Sequence, residues 1–171
     1  IISDMTLEEK VGQMFLVRYT DDEKAVSDID KYKFGGYLLF AKDFQDKTKD
    51  DVIKSVSDCQ SASEVPLFIG VDEEGGIVNR VSKFPQFRNE PFKSPRELYN
   101  EGGYELISSD TQEKCELLKS LGINVNLAPV CDVSENPDSF MYERTLGQDA
   151  DATSEYVSSV VEVMSKNNMG S

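Results

Sequence analysis

The sequence of 171 residues contains no histidine. Histidine is the commonest metal ligand and the commonest general acid or base in proteins, so both roles would have to fall to other side chains. The three cysteines, Cys59, Cys115 and Cys131, form no close pair, and their odd number argues against a simple disulfide framework. We interpret them as buried free thiols. We predict no resident metal and no cofactor.

Long apolar runs and an excess of basic residues are also absent. No apolar run approaches the ~20 residues that a membrane-spanning helix requires, and the first four residues, Ile1–Asp4, lack the basic start of a secretion signal. Lys and Arg number 18 against 32 Asp and Glu, which gives a net charge of −14. Nonspecific binding to nucleic acid or anionic lipid is therefore disfavoured, and the composition is that of an ordinary soluble domain with a small or neutral partner.

Apolar periodicity predicts four strands, each followed by a helix. A first helix begins at the capping box Thr6-Leu7-Glu8-Glu9, and its apolar face comprises Leu7, Val11, Met14 and Phe15. Later helices are predicted to begin near Asp21, near Asp46, after a proline-rich passage, and near Thr153, the last with Val157, Val160, Val161 and Met164 facing inward. The predicted strands cover residues 14–19, 37–40, 65–71 and 123–130.

Strands that are apolar on both faces and alternate with helices indicate an α/β fold with a parallel sheet. Four βα units could form a small doubly wound domain. They could equally form half of an eight-fold barrel, which usually needs ~250 residues. The pattern alone leaves both open, but in either fold ligands bind where the carboxyl ends of the strands converge.

The most unusual strand end is Gly70-Val71-Asp72-Glu73-Glu74-Gly75-Gly76, because it places a cluster of carboxylates directly after a buried strand. Such a cluster could bind a divalent cation, supply paired carboxylates for glycoside hydrolysis, or accept hydrogen bonds from sugar hydroxyls. The alternative is a solvated acidic turn in an already acidic protein. The apolar strand residues that lead directly into the cluster argue against that alternative.

Basic residues follow the same strand end and the next one. Arg80 lies far enough beyond Asp72 for the chain to return, and its guanidinium fork suits a carboxylate or a pair of hydroxyls. The fourth strand leads to Asp132 and then to a loop that contains Glu143 and Arg144. A surface ion pair between these last two would by itself be weak evidence for a site.

Five segments, taken in order and spacing, resemble glycoside hydrolase family 3. They are Thr6–Gln13, Gly35–Phe40, Val71–Gly76 with Asn79-Arg80, Asn126–Val130 with Asp132, and Glu143–Gly147. The resemblance implies that residues 1–171 are a partial amino-terminal domain of the family, the first half of a (β/α)8 TIM-type barrel with about four βα units. The Asp-Glu-Glu-Gly-Gly and Glu-Arg-Thr-Leu-Gly segments favour the β-N-acetylhexosaminidase branch.

By this resemblance, the complete protein hydrolyses terminal β-linked N-acetylhexosamine with retention, through a covalent glycosyl-enzyme intermediate. The substrate would be a saccharide that contains N-acetylglucosamine. Asp72 would accept hydrogen bonds from sugar hydroxyls, and Arg80 and Arg144 would frame the pocket. The secondary candidates are Glu74, Asp132 and Glu143.

The resemblance places the catalytic groups outside this chain. A Lys-His motif is expected directly after Ser171, with the acid/base histidine in it, and the nucleophilic aspartate farther on. We therefore assign no catalytic residue here and expect the 171-residue chain alone to be inactive. A start at Ile1 suggests a processed or cut chain, and the family favours, by a small margin, a bacterial extracellular or cell-wall location. Two open sheet edges predict self-association.

Three alternatives remain open. The complete protein could be a β-glucosidase of the same family. The chain could be a natural half-barrel that binds a sugar or a partner without catalysis. It could also belong to a metal-dependent α/β enzyme that uses Asp72, Glu73 and Glu74 as oxygen ligands.

Overall fold

The computed structural model describes residues 2–171 and contains one parallel sheet in the order β1-β2-β3-β4. The strands are β1 (Leu16–Arg18), β2 (Gly36–Leu39), β3 (Phe68–Val71) and β4 (Val125–Asn126). The helices are α1 (Leu7–Gly12), α2 (Asp22–Tyr32), α3 (Lys49–Ala62), α4 (Pro95–Ser120) and α5 (Ala150–Lys166). The predicted α/β fold with a parallel sheet is confirmed. None of the helices in residues 2–171 is long and apolar enough to span a bilayer.

The helix starts follow side-chain caps. The predicted capping box is confirmed, because Thr6 Oγ1 accepts from the Glu9 backbone N–H and the Glu9 carboxylate accepts from the Thr6 backbone N–H. Two other predicted starts were wrong by three residues. α3 begins at Lys49 because Thr48 caps it, and α5 begins at Ala150 because Asp149 caps it.

The core lies between the sheet and the helices on one of its faces. Alternate strand residues point to opposite faces of a sheet, and Tyr37, Leu39, Ile69 and Val71 all point into this core. Helices α2 and α3 pack together on this side, as do α4 and α5. The hydrophobic core therefore lies on the face of the sheet that points outward in a closed barrel.

The opposite face of the sheet is open. Leu16, Gly36 and Phe68 lie side by side on neighbouring strands, and Phe68 is 59% exposed whereas its neighbour Ile69 is 1% exposed. A Cβ atom at Gly36 would lie 1.9 Å from the Phe68 carbonyl oxygen, so only glycine fits between the two flanking strands. In a closed barrel this face lines the interior, and no element of the described chain covers it.

Apolar residues near α1 depart from the prediction. Leu7, Val11, Met14 and Phe15 were predicted to share one apolar helical face, and all four are exposed. The helix ends at Gly12, so Met14 and Phe15 lie beyond it. Helix α1 contacts α2, and these four side chains are left uncovered by residues 2–171.

Three predicted strands are shorter than expected. β1 covers the middle of its predicted range, and β3 covers the carboxyl-terminal part of its range. β4 ends at Asn126 instead of residue 130, because the Ala128 N–H turns back to the Asn126 carbonyl and no longer extends the ladder. A fifth strand begins to form beyond α5, where Gly170 pairs with Val125 in parallel.

Two side-chain predictions were also wrong. Cys131 is exposed, because it lies in the irregular loop after β4, whereas Cys59 and Cys115 are buried as expected and all three are free thiols. Val161 is exposed instead of inward-facing, and Tyr156 occupies the core on α5. Val160 and Met164 are buried as predicted, and Tyr156 lies four residues before Val160 on the same face of the helix.

The two faces of β3 should respond differently to truncation. We expect Ile69→Ala to lower the free energy of unfolding of the 171-residue chain by about 2–5 kcal/mol, since it leaves a cavity in the core. Phe68→Ala should change it by less than about 0.5 kcal/mol, as is usual for exposed sites. Urea denaturation followed by circular dichroism measures both. Equal losses would show that the two faces of the strand are equally buried.

Candidate functional site

The first strand-end pair is Asp72 with Arg80. Asp72 follows β3 directly, and Arg80 Nη2 lies 3.3 Å from Asp72 Oδ2. The Arg80 guanidinium also faces the ring of Phe40, which follows β2, at 5.9 Å from the ring centroid. Both charged side chains are partly exposed. The structure thus brings together two of the three predicted substrate-binding residues at the carboxyl end of the sheet.

The side chain of Glu73 holds the loop that places Arg80 next to Asp72. Its buried carboxylate accepts hydrogen bonds from the backbone N–H groups of Arg80 at 2.7 Å, Val81 at 2.7 Å and Ser82 at 3.1 Å, and from the Ser82 hydroxyl. A buried carboxylate needs such a full set of donors to be tolerated. Glu73 therefore shapes the loop and is not accessible to a ligand.

The second pair is Glu74 with Arg144, which joins the β3 turn to the loop after β4. Arg144 Nε lies 2.9 Å from Glu74 Oε2, and Arg144 Nη2 lies 2.6 Å from Glu74 Oε1. This fork-to-carboxylate geometry is the strong form of an ion pair, and the hydrogen bonds that Arg144 donates to Glu74 raise the pKa of Arg144. The structure therefore brings Arg144, the third predicted substrate-binding residue, to the turn that contains Asp72.

Buried groups beneath the turn hold it in place. Lys114 Nζ on α4 donates to the Glu74 carbonyl at 3.1 Å and lies 2.7 Å from Asp110 Oδ2. Gly75 has a φ of +102°, and a Cβ atom there would lie 2.2 Å from the Lys93 carbonyl oxygen. Only glycine satisfies both the left-handed backbone and this close approach.

The secondary candidates divide into three cases. Glu74 is buried in its pair with Arg144. Asp132 is exposed and close enough to contribute to the raised pKa of Arg144. Glu143 is exposed, does not pair with Arg144, and lines a separate cleft of 530 Å³ together with Tyr142. The ion pair considered between Glu143 and Arg144 is thus absent, because Glu74 takes the guanidinium.

The acidic cluster does not form a metal site. Asp72, Glu73 and Glu74 each face a different partner, namely Arg80, a set of backbone amides and Arg144. Within the described range, no group of three or more acidic or cysteine side chains is arranged to hold a metal ion. The structure gives no support to the metal-dependent alternative.

Sequence reasoning missed two residues at the same end of the sheet. Arg18 is the last residue of β1, and its guanidinium carbon lies 4.8 Å from the centroid of the Phe40 ring. Phe40 follows β2 directly, so its ring lies between the ends of the two strands. Placing the end of β1 at Arg18 would have identified it, since ligands bind at strand ends.

The fold and the strand ends together define an incomplete α/β barrel with a polar pocket rim. Residues 6–171 match the family model described as the glycosyl hydrolase family 3 N terminal domain. The chain therefore belongs to glycosyl hydrolase family 3, and the resemblance stated from its motifs is confirmed.

Curated relatives are β-hexosaminidases from bacteria. β-Hexosaminidase A of Pseudoalteromonas piscicida is 34% identical over 115 residues, which are 65% of this chain and 19% of the relative. β-Hexosaminidase LpqI of Mycobacterium tuberculosis is 27% identical over 149 residues, which are 86% of this chain and 37% of the relative. A β-N-acetylglucosaminidase/β-glucosidase of Cellulomonas fimi is 28% identical over 152 residues, 87% of this chain and 25% of the relative. The chain thus spans well under half the length of each.

Solved structures of the family share the fold. A family 3 glycosyl hydrolase from Mycobacterium smegmatis superimposes with a TM-score of 0.83 at 23% identity, covering 99% of this chain and 50% of that one. A β-N-acetylglucosaminidase from a Paenibacillus species gives a TM-score of 0.85 at 24% identity, covering 96% and 32%. The predicted half of a (β/α)8 barrel is therefore confirmed.

Replacing the Glu73 carboxylate should loosen the loop. We expect Glu73→Gln to lower the free energy of unfolding by about 1–3 kcal/mol, because the amide NH2 group would face backbone N–H donors and leave them unsatisfied. Urea denaturation of the variant and of Glu135→Gln, which changes an exposed carboxylate in the same way, measures the effect. An unchanged midpoint for Glu73→Gln would contradict the role assigned to this side chain.

Proposed function

We propose that a protein in which this half-barrel is completed is a retaining glycosidase that removes terminal β-linked N-acetylhexosamine. Residues 1–171 would form the first part of its amino-terminal barrel domain. Membership of glycosyl hydrolase family 3 and the β-hexosaminidase relatives support the reaction class. The substrate would be a saccharide that ends in N-acetylglucosamine.

The observation that carries the proposal is the partly exposed Asp72 carboxylate at the end of β3. Arg80 Nη2 contacts Oδ2 of this carboxylate, so Oδ1 is left to accept hydrogen bonds from sugar hydroxyls. Hydrogen bonds to an ionised carboxylate are about twice as strong as neutral ones. A fixed carboxylate can therefore select for the positions of two neighbouring hydroxyl groups.

Arg144 is suited to the opposite side of the same pocket. Its guanidinium has five N–H donors, and the contacts with Glu74 and with Met141 Sδ occupy three of its nitrogen atoms. The Nη1 and Nη2 atoms each carry a second hydrogen that can donate to a sugar or its acetamido group. Because Glu74 holds the guanidinium in two places, these donors are oriented before a ligand arrives.

The residues of this chain bind and orient, and the bond-breaking groups come from elsewhere in the barrel. In the proposed mechanism an aspartate attacks the anomeric carbon, and a histidine gives a proton to the leaving oxygen and later takes one from water. The chain has no histidine. Glu73, the most deeply buried of the three clustered carboxylates, is engaged by the loop and is unsuited to either role.

Hydrolysis by the protein with a complete barrel tests the proposal. We expect cleavage of an aryl β-N-acetylglucosaminide, and we expect Asp72→Asn to lower kcat/KM by at least about tenfold, because it weakens charge-assisted hydrogen bonds of roughly 1.5–3 kcal/mol each. Asp138→Asn, which alters an exposed loop carboxylate, is the matched control. Equal effects of the two changes would contradict a binding role for Asp72.

The same assay separates the alternatives. The Cellulomonas fimi relative is named for both activities, so an aryl β-glucoside is assayed in parallel. Cleavage of the glucoside alone would favour a β-glucosidase. No cleavage of either substrate, with N-acetylglucosamine still bound in a calorimetric titration, would favour a non-catalytic binding module.

We also propose that the 171-residue chain associates with itself through the open face of its sheet. Leu16, Phe68 and Leu127 are exposed along or beside this face, and the outer edge of β1 has no neighbour in the described chain. Exposed sheet edges beside apolar side chains are templates for pairing. The occupant would be the same face of a second copy.

Sedimentation velocity tests this association. We expect the 171-residue chain to form dimers or larger species at about 10–100 µM, where transiently exposed apolar surface and strand edges promote association. Phe68→Lys should shift it toward monomer because a charge cannot be buried unpaired in the contact. Ile77→Lys, which changes an equally exposed residue outside the sheet, should not. A monomeric wild-type chain, or equal effects of both changes, would refute the proposal.

A further inference from the structure

A buried ion pair lies beneath the turn that carries Glu74. Lys114 Nζ and Asp110 Oδ2, which lie one helical turn apart on α4, are separated by 2.7 Å, and each of the two side chains is only 9% exposed. The ammonium group also donates to the Glu74 carbonyl at 3.1 Å and lies 5.1 Å from the centroid of the Phe92 ring. A carboxylate, a carbonyl and an aromatic ring therefore hold this charge from three directions.

The hydrophobic core does not require a charge at this position. The other buried residues in this part of α4 are apolar or small, namely Ile107, Thr111, Cys115 and Leu118. Replacing a buried ion pair by apolar side chains of similar volume is often neutral or stabilising. An apolar side chain at position 114 could therefore fill the same space. It could not supply a hydrogen-bond donor to the Glu74 carbonyl.

The Lys114 ammonium group cannot bind a ligand directly. The cavity that it lines together with Asp110, Glu74 and Tyr156 has a volume of about 20 Å³. Such a cavity can hold one water molecule, and a sugar cannot enter it. Any effect of Lys114 on a ligand must therefore be transmitted by the groups that it contacts.

The contacts of Glu74 lead from Lys114 to the pocket rim. The Glu74 backbone N–H donates to the Val78 carbonyl at 3.0 Å, and its carbonyl accepts from Lys114, so the backbone is held on both sides. The Glu74 carboxylate accepts from Arg144 at 2.9 and 2.6 Å. The orientation of the Arg144 guanidinium thus depends on a backbone segment that Lys114 fixes.

We propose that Lys114 is a positioning residue for sugar binding, which fixes the Glu74 backbone and through it the guanidinium of Arg144. This inference rests on the proposed sugar-binding role of Arg144. A binding group acts at full strength only when a second layer of contacts holds it in the productive orientation. Lys114 supplies such a contact from the buried side of the turn, out of reach of the substrate.

Steady-state kinetics of the protein with a complete barrel test the inference, with an aryl β-N-acetylglucosaminide as substrate. The test variant combines Lys114→Met with Asp110→Asn, so that no unpaired carboxylate stays buried. We expect KM to rise at least about threefold with kcat nearly unchanged, because losing a contact that binds the ground state and the transition state equally raises KM alone. A lower kcat with an unchanged KM would show a merely structural role and overturn the inference.

Three further variants separate the contacts of Lys114. Asp110→Asn alone and Lys114→Arg each keep a donor for the Glu74 carbonyl, and both should retain the wild-type KM. Lys54→Met, which removes the same charge from an exposed pair of the same spacing on α3, should also leave KM unchanged. A rise in KM for Asp110→Asn or Lys114→Arg equal to that of the combined variant would overturn the inference, because the donor to Glu74 is still present in both.

A double-mutant cycle shows whether Lys114 acts through Arg144. Arg144→Met should itself raise KM about tenfold, which is the size of effect that one charge-assisted contact supplies. Adding Lys114→Met and Asp110→Asn to Arg144→Met should raise KM no further, because contacts that act in series are not additive. Additive increases would overturn the inference alone. An unchanged KM for Arg144→Met, or no cleavage by the wild type, would overturn the proposed function and this inference together.

Discussion

The buried carboxylate of Glu73 is the contact on which the pocket rim depends. It accepts hydrogen bonds from consecutive backbone N–H groups of a loop that begins seven residues later in the chain. These bonds bring Arg80 back to the end of β3. Because side chains alternate along an extended segment, the carboxylates of the flanking residues Asp72 and Glu74 point away from that of Glu73. One pairs with Arg80 and the other with Arg144. A run of three acidic residues thus serves one structural and two rim-forming purposes.

Much of this arrangement could be predicted from the sequence, because buried strands and helix caps leave local patterns. The Thr6 capping box and the position of Asp72 at a strand end are examples. The burial of Glu73 could not be predicted, because its partners are backbone amides, which every residue has. The position of Glu73 also depends on Asn126, whose side chain accepts from the Glu73 backbone N–H and donates to the Glu73 carbonyl. Arg18 was missed because the end of its strand was placed one residue too late.

One face of the sheet is covered by helices, and the other face is uncovered. Ile69 packs into a core with the helices, while Phe68 on the same strand meets no covering element in residues 2–171. The rim residues stand at the end of this sheet, so they can only form one side of a pocket. The charged side chains at this end of the sheet are therefore supported by a complete hydrophobic core. This explains how their ion pairs can be fixed although the barrel wall is open.

The pairing of Gly170 with β4 also determines what any continuing chain would do. Its N–H donates to the Asn124 carbonyl at 2.8 Å, and its carbonyl accepts from the Asn126 N–H at 2.9 Å. Gly170 thus pairs with Val125, and Val125 pairs with Gly70, which belongs to the open face of the sheet. Because side chains alternate along a strand, even-numbered positions after 170 would face the barrel interior and odd-numbered ones would face the helices. A strand growing from this point would run toward the mouth beside Asp72, with its first bonds already made by the half that precedes it.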